Sequence, residues 1–306
     1  MLPRGLSGEG TATKTSGKLL AAILALVWGA LALTGCGGLG HDKVLRLGNI
    51  GWDENVAISN LTKVLLEDEL NFERVEITAG DLDSTFQDVA SGELDAFQDV
   101  WLPNQEALLE QVAEDVEHLE PWFLGETKQG MAVPDYMDDV RSIAQLNGTD
   151  AQFIFGIEPS SVIMQEVAGE VIPAYGLEQM LVEAPTAGML AEVERRYDAR
   201  EDFVFLAWSP HWMNQRYDIR YLEDPKDALG KTNDPAECST IVSGDLRERD
   251  PVAYALMNAL ALTEEQINTL EYAINEEGDP LTGARRWASE NRQVVRPWIE
   301  AARNAQ

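Results

Sequence analysis

The sequence predicts an α/β protein of two lobes with a ligand cleft between them. Short apolar segments typical of strands alternate with segments of helical periodicity, and this alternation occurs in two successive series. Beyond residue 249 the pattern is helical throughout. The chain has 306 residues, 45% of them hydrophobic, which is enough for two lobes of ordinary size. Because ligands of such folds bind outside the carboxyl ends of strands and at lobe junctions, we expect the site there.

The first series begins at residue 44. Its strands alternate or are continuously apolar, whereas its helices carry apolar residues three and four positions apart. Pro103 suits the first turn of a helix, where its missing N–H is not needed. The predicted strands are Val44–Asn49, Arg74–Thr78 and Leu94–Trp101, the helices are Glu54–Leu70, Leu82–Ala90 and 103–113, and Leu119–Phe123 and Gly130–Val133 are extended.

The second series and the helical tail complete the chain. The predicted strands are Gln152–Gly156, Met180–Glu183, Phe203–Trp208 and Ser239–Ser243, Tyr217–Leu222 is extended, and the helices are one from about Ser160, Thr186–Tyr197, 249–261, 263–277 and 282–304. We expect the chain to cross between the lobes near Pro134–Asp139 and near Tyr221–Pro225. The first lobe is then 44–135 with 224–306, and the second is 136–223.

The charge of the chain excludes several classes of protein. There are 23 Lys and Arg against 53 Asp and Glu, a formal net charge of −30. Such a surface lacks the basic groups that neutralise phosphates, so we expect no nucleic-acid partner and no docking on anionic lipid through charge. The acidity suits a salty medium, and capture of a cationic ligand requires a defined site in addition.

The few cysteines and histidines exclude further chemistry. Two Cys and three His occur, with no C-x-x-C or H-E-x-x-H motif, so we expect neither a metal site nor a disulfide scaffold. No G-x-S-x-G, G-x-G-x-x-G or Walker-type loop occurs, and a Ser-His-Asp triad has only His118 and His211 to draw on. We therefore expect no cofactor and no enzyme activity.

Residues 1–35 are predicted to be a targeting segment. Basic residues precede the uncharged apolar stretch Leu19–Leu33, which is shorter than the about 20 residues of a spanning helix. The stretch ends in Leu33-Thr34-Gly35-Cys36, which resembles the lipobox of bacterial lipoproteins; an ordinary signal peptide or a short anchor helix is the alternative. The resemblance implies acylation of Cys36, a tether over 36–43 and a place on the extracytoplasmic face of the cell membrane.

Three of the eight tryptophans share one sequence context. Trp52, Trp101 and Trp208 each end or follow a predicted strand, and residues that start a helix come next. A large aromatic side chain at the carboxyl end of a strand points to the ligand side of an α/β sheet. Three indoles there can form a box that binds a quaternary ammonium group, which donates no hydrogen bond. Packing in the core is the alternative, and it is what we expect of Trp122, Trp212, Trp287 and Trp298.

Five blocks of sequence form a specific pattern along the chain. They are Gly51-Trp52-Asp53-Glu54-Asn55-Val56-Ala57, Asp99-Val100-Trp101-Leu102-Pro103-Asn104, 130–137 (GMAVPDYM), 156–164 (GIEPSSVIM) and Trp208-Ser209-Pro210-His211-Trp212-Met213, and 221–226 continues the last of them. Together they resemble the substrate-binding proteins of ABC importers for glycine betaine, proline betaine and choline. The resemblance covers nearly all of the chain after the leader. It implies a type II-like periplasmic-binding-protein fold and a monomer that delivers its solute to an ABC permease.

The resemblance also implies site residues. The tryptophan cage of the family falls on Trp52, Trp101 and Trp208, the set chosen above from strand-end context. The betaine carboxylate falls on the backbone amides near Val162 and Ile163, at the start of a predicted helix.

Three positions bear on which solute is bound. Glu106 stands where betaine binders of this kind often carry a carboxylate-holding His. Glu54 matches an acid of choline-binding relatives, or is an ordinary acidic residue of a first helical turn. Gln129 and Gly130 stand where choline relatives use a Tyr. We expect a solute of the glycine betaine type, with choline or another trimethylammonium solute as the alternative.

Two functions of other classes also fit the composition. A secreted hydrolase with paired carboxylates, such as Glu114-Asp115 or Asp138-Asp139, consumes its ligand. A lipoprotein adaptor binds a partner protein, and small molecules leave its stability unchanged.

Overall fold

The computed structural model describes residues 44–305, and two mixed β-sheets organise them. The strands are β1 (Val44–Asn49), β2 (Arg74–Ala79), β3 (Ala96–Leu102), β4 (Val116–His118), β5 (Lys128–Pro134), β6 (Phe153–Phe155), β7 (Met180–Val182), β8 (Val204–Ser209), β9 (Ile219–Tyr221) and β10 (Glu237–Ser243). The α-helices are α1 (Asp53–Val64), α2 (Leu82–Ser91), α3 (Glu106–Val112), α4 (Val162–Glu166), α5 (Ile172–Tyr175), α6 (Thr186–Ala199), α7 (Met213–Arg216), α8 (Leu246–Arg249), α9 (Pro251–Ala259), α10 (Glu264–Glu277), α11 (Pro280–Glu290) and α12 (Arg292–Asn304).

The two sheets have the same topology. Their strand orders are β2-β1-β3-β10-β4 and β7-β6-β8-β5-β9. In each sheet the first three strands are parallel, and the fourth runs antiparallel to both of its neighbours. Strand β1 therefore corresponds to β6, and β3 corresponds to β8. The predicted α/β fold of two lobes is confirmed.

The first crossing between the sheets comes earlier than predicted. The expected crossing near Pro134–Asp139 placed residues 128–134 in the first lobe, but β5 is hydrogen-bonded to β8 and β9 of the second sheet. Residues 130–134 are buried, and the antiparallel ladders on both sides satisfy their backbone groups. An extended segment does not show in its sequence which sheet it joins. The second crossing lies between β9 and β10, and the predicted region Tyr221–Pro225 falls at its start.

The helical tail packs on the first lobe. Helices α10 and α11 pack against each other and against α1, which follows the first strand. Their starts are fixed locally, because Thr263 and Gln266 form a capping box at α10 and Asp279 caps α11 ahead of Pro280.

Two predicted helices are interrupted. The helix expected over 282–304 is two helices, because Asn291 leaves helical geometry and its side-chain amide donates to the carbonyl of Trp287. The helix expected over Glu54–Leu70 is α-helical only to Val64 and continues as a π-helical turn, Leu65–Glu69. Among residues 44–305, no helix combines the length and apolar character that a membrane span requires.

Candidate functional site

A pocket lies where the carboxyl ends of corresponding strands of the two sheets meet. The space between its lining residues, open solvent included, is about 350 Å³. The residues that line it are Trp52, Glu54, Asn104, Gln105, Gln129, Ile157, Ser161, Val162, Ile163, Ala207 and Trp208. Among these described residues there is no Lys, Arg or His, so the pocket wall carries no cationic side chain.

Trp52 enters the pocket from the first lobe. It follows β1, and its backbone is extended at the residue before α1. The side chain is 6% exposed, and its indole N–H donates to Oε2 of Glu158 at 3.2 Å. Glu158 follows β6, the strand of the second sheet that corresponds to β1. The bond therefore joins equivalent places in the two lobes.

Trp208 enters the pocket from the second lobe. It is the second-last residue of β8 and is 4% exposed. The indole N–H donates to Oε2 of Glu54 at 2.9 Å, and Glu54 lies in the first turn of α1 in the first lobe. Strand β8 is buried along nearly its whole length, which explains its continuous apolar sequence.

Trp101 is placed differently from the other two predicted cage residues. It is fully buried near the end of β3 and is absent from the residues that line the pocket. Its indole N–H donates to Oδ1 of Asp99 at 2.8 Å. Its backbone N–H donates to the side chain of Gln105, which does line the pocket. Trp101 thus stands directly behind the wall.

The start of α4 forms one side of the pocket. Val162 and Ile163 are its first two residues, and both line the pocket together with Ser161. The hydroxyl oxygen of Ser161 is buried and has no hydrogen-bond partner. The helical path continues through a π-helical segment, Val167–Val171, into α5, so the first amides of α4 sit at the start of an extended helical run.

Glu106 lies outside the pocket. It is the first residue of α3, its side chain is 49% exposed, and it forms an ion pair with Lys231. Because Glu106 faces solvent, its carboxylate does not take the place of a ligand-holding His in this structure.

Three carboxyl groups are buried at the pocket, where Glu54 is part of the wall and Asp99 and Glu271 are not. Glu54, Asp99 and Glu271 are 0–2% exposed, and each has one carboxyl oxygen without a hydrogen-bond partner. Burial, with the charges of Asp99 and Glu271, raises the pKa of Glu54 well above its usual range. Burial also raises the pKa of Asp99 to about 8, against the opposing effect of the Trp101 hydrogen bond. Glu271 shifts in the same direction, chiefly by burial and then by the charge of Asp53.

The thiol of Cys238 belongs to the same buried region. Burial, with the charges of Asp99 and Glu54, raises the pKa of this thiol well above its usual range. The cysteine is fully buried and is a free thiol. It is therefore inert as a nucleophile.

A second network joins the lobes beside the pocket. The backbone N–H of Trp212 donates to Glu271 at 2.8 Å, and its indole N–H donates to Asp53. His211 accepts from the backbone N–H of Met213 through Nδ1, which leaves Nε2 facing Oδ2 of Asp53 at 3.3 Å. Burial opposes ionisation of Asp53, but the hydrogen bond and charge of His211, with Trp212, hold its pKa below the usual value.

Some residues at or beside the pocket were not predicted as binding residues from the sequence. Asn104 and Gln129 both line the pocket, and the amide of Asn104 donates to Gln129 at 2.8 Å. Asn104 lies two residues after β3, so the strand-end rule that selected the tryptophans also covers it. Glu158 likewise follows a strand, β6, but the sequence does not show that it is paired with Trp52. Within residues 44–305, no cluster of three or more His, Cys, Asp or Glu side chains is arranged to hold a metal ion.

Comparison with known proteins places this site in a family context. Residues 43–290 match the family model described as the substrate binding domain of ABC-type glycine betaine transport systems. The glycine betaine/carnitine transport binding protein of Listeria monocytogenes is 28% identical over 150 residues, which are 48% of this chain and 49% of that protein. The match thus spans about half the length of this curated relative.

Solved structures show the same fold. Lactococcal OpuAC, in its closed conformation with glycine betaine, has a TM-score of 0.75 and 30% identity, covering 84% of this chain and all of that one (100%). The glycine betaine/L-proline-binding protein ProX of Borrelia burgdorferi has a TM-score of 0.76 and 25% identity, covering 86% of this chain and 100% of that one. A choline-binding protein of an ABC transporter, at 23% identity and a TM-score of 0.75, agrees in fold.

These relatives are transport binding proteins and not enzymes, so the hydrolase interpretation is set aside. The family model covers most of the chain, in agreement with the resemblance carried by the five sequence blocks. The chain belongs to the family of substrate-binding proteins of ABC-type glycine betaine transport systems.

Proposed function

We propose that this protein captures a quaternary ammonium solute of the glycine betaine type between its lobes and delivers it to an ABC permease. The observation that carries the proposal is the pairing of Trp52 and Trp208, which reach one pocket from opposite lobes. Indole faces attract a cation that cannot donate hydrogen bonds, and the wall has no positive side chain to repel it.

Trp101 is the third member of the proposed cage. It lies behind Gln105 in this structure, and its backbone N–H donates to the Gln105 side chain, which lines the pocket. The proposed cage requires that a bound ligand displace the Gln105 side chain to contact the Trp101 indole.

The other end of the solute has neutral partners only. Donors at the pocket include the hydroxyl of Ser161, the backbone amides near Val162 and Ile163, and the side-chain amides of Asn104, Gln105 and Gln129. A carboxylate held there is stabilised by hydrogen bonds and by the helix start rather than by an opposite charge.

Choline is the second candidate, and Glu54 favours it. Glu54 lines the pocket; one oxygen of this fully buried carboxyl accepts from Trp208, and the other has no hydrogen-bond partner. A cation beside Glu54 favours its ionised form, and a ligand hydroxyl supplies the missing hydrogen bond.

We further propose that the protein is a monomer held by lipid at the extracytoplasmic face of the membrane. The support is the Leu33-Thr34-Gly35-Cys36 sequence, which lies outside the described residues. Replacing Cys36 by Ala is expected to release the protein from membranes or leave it unprocessed, as fractionation and immunoblotting show. Normal processing with full membrane retention in the variant contradicts the lipid anchor.

A thermal-shift panel tests the solute class. The purified protein is heated with glycine betaine, proline betaine, choline, carnitine or trimethylamine N-oxide, and with glycine as a control that lacks methyl groups. A ligand that binds only the folded state raises the Tm. We expect a concentration-dependent rise with at least one methylated solute and none with glycine. The absence of any rise across the panel contradicts the proposed function.

A further inference from the structure

The pocket tryptophans share one kind of hydrogen-bond partner. Both Trp52 and Trp208 donate the indole N–H to a glutamate, and in each case that glutamate comes from the other lobe. Carboxyl acceptors also occur behind and beside the pocket, at Trp101 and Trp212. Neutral acceptors occur further away: Trp122 donates to the backbone carbonyl of Gln98, and Trp287 donates to the hydroxyl of Thr269, both at 2.9 Å.

Three hydrogen bonds hold the side chain of Glu158 in one position. Its Oε2 accepts from the Trp52 indole at 3.2 Å and from the hydroxyl of Thr186 at 2.8 Å. Its Oε1 accepts from the backbone N–H of Thr186, the first residue of α6, at 2.8 Å. The carboxylate is thereby fixed to the second lobe, and it presents an oxygen to a tryptophan of the first lobe.

We propose that Glu158 and Glu54 are reciprocal positioning residues, each of which orients the pocket tryptophan supplied by the opposite lobe, and that Glu158 also polarises Trp52. This inference rests on the proposed function, since it concerns how the indoles become a cation site. Glu158 is absent from the residues that line the pocket, so it acts on the ligand through Trp52.

Two physical effects follow from the bond at Glu158, whereas Glu54, whose pKa is raised by burial, only orients Trp208. A hydrogen bond from an indole N–H to an anion is stronger than one to a neutral acceptor, so the ring plane of Trp52 is fixed more firmly. The acceptor also pushes electron density into the ring, which makes the face more attractive to a cation. Because each bond spans the two lobes, both effects are present only when the lobes are together, and cation affinity is coupled to closure.

The test replaces the charge of Glu158 while keeping its shape. Glu158→Gln retains one oxygen for Trp52 and the hydroxyl of Thr186, but its NH2 group cannot accept from the backbone N–H of Thr186. Affinities are measured by titration calorimetry for two pairs of equal shape: glycine betaine with 3,3-dimethylbutanoate, and choline with 3,3-dimethylbutan-1-ol. The second member of each pair has a neutral tert-butyl group in place of the trimethylammonium group. The paired ligands separate the structural loss at Thr186, which affects both members, from the loss of charge.

We expect Glu158→Gln to weaken the bound ammonium solute about 10-fold and its tert-butyl counterpart less than about 2-fold, since only the first carries a cation. Glu192→Gln, an exposed glutamate of α6 held by Arg195 and Arg196, is the matched control and is expected to bind as the wild type does. Equal weakening of both members of a pair means that Glu158 is merely structural, and wild-type affinity in the variant also overturns the proposal.

A double-mutant cycle, in which only the affinity for the ammonium solute is measured, is a second test. Trp52→Phe keeps an aromatic face but removes the N–H, so adding Glu158→Gln to it is expected to cost little more. Fully additive losses overturn the proposal. If Glu158→Gln does not fold, Trp52→Phe must by itself weaken the ammonium member more than the tert-butyl member. If the wild-type protein binds no ammonium solute, the proposed function fails. If it binds one and Glu158→Gln does not weaken that binding selectively, only the role of Glu158 is refuted.

Discussion

At the residue scale, the pocket combines aromatic faces with acids that are removed from water. Trp52 and Trp208 supply the faces, and Glu54 supplies an unpaired oxygen at the same wall. Burial strengthens the electrostatic interactions of these groups relative to the surface, because neither water nor salt screens them.

Truncation of the proposed cage tests the tryptophans one at a time. Trp52→Ala, Trp101→Ala and Trp208→Ala are each expected to weaken the cognate ammonium solute at least about 10-fold, which is about 1.4 kcal/mol. Trp287→Ala is the control, because this indole packs in the helical tail and bonds to Thr269. It is expected to lower the Tm and leave the affinity nearly unchanged. Wild-type affinity in all three cage variants rules out the cage.

The buried carboxyl of Asp99 is expected to make stability depend on pH. Its pKa of about 8 in the folded state lies above the ordinary 3.8, so between these values the folded protein holds a proton that the unfolded chain has lost. Stability from this group therefore falls as the pH rises through that window, by at most about 1.4 kcal/mol per pH unit. Asp99→Asn removes the titration and keeps an acceptor for Trp101.

Thermal denaturation at pH 5 and pH 8 checks the sign. The Tm of Asp99→Asn minus that of the wild type is expected to be more positive at pH 8 than at pH 5, because only the wild type loses stability as Asp99 ionises. Asp81→Asn is the control, because hydrogen bonds from Ser84 lower the pKa of Asp81, and its contribution is constant above pH 5. A Tm difference for Asp99→Asn that is equal at both pH values contradicts the assigned ionisation.

At the scale of elements, the site is formed by residues at or just after the carboxyl ends of strands. Strands β1 and β6 hold corresponding places in their sheets, and the residues after them, Trp52 and Glu158, meet across the cleft. Strands β3 and β8 correspond as well, and they carry Trp101 and Trp208. The same topology used twice thus brings four elements to one pocket.

The helical tail depends on a close approach between α10 and α11. A Cβ atom at Gly283 would lie 2.5 Å from the Cα of Ile274 and 2.8 Å from the carbonyl oxygen of Ala273, so the two helices would have to separate. Gly283→Ala is expected to lose about 1–3 kcal/mol of unfolding free energy in denaturant titration, with the ligand affinity nearly unchanged. Gly169→Ala, where nothing lies within 4 Å of the added atom, is expected to be neutral or slightly stabilising. Equal stability of the two variants contradicts the packing account.

At the scale of the whole molecule, acidic charge dominates. The chain carries 53 acidic and 23 basic residues, so the compact state repels itself. Added salt shortens the range of this repulsion, with a Debye length of about 10 Å at 0.1 M. We expect the Tm to rise between 0.05 M and 0.5 M NaCl, and to rise equally in KCl because screening is not specific to the ion. A fall in Tm over this range means that the surface ion pairs outweigh the repulsion.

The order of strands and helices could be predicted from sequence because it rests on local periodicity. The strand-end context of Trp52 and Trp208 and the block that contains Val162 were likewise visible as short-range patterns. The sheet that β5 joins was not visible, because it depends on ladders with β8 and β9.

The remaining misses have two causes. The bond between Trp52 and Glu158 is a tertiary contact, because it joins residues 106 positions apart. The break at Asn291 and the place of Trp101 behind Gln105 depend on local hydrogen bonds between a side chain and the backbone, each joining residues 4 positions apart. The periodicity of apolar residues does not show whether such a side chain bonds to the backbone.

Calorimetric titration of the wild-type protein with glycine betaine and with choline tests the central claim most directly. The account predicts saturable binding of at least one of them at one site per chain, and loss of that binding by at least about 10-fold in Trp208→Ala. Glycine betaine binding implies that the neutral donors at the start of α4 hold its carboxylate, and a strong preference for choline implies that Glu54 governs the choice. Binding of neither solute by the folded protein, or binding that Trp52→Ala and Trp208→Ala both leave unchanged, contradicts the account.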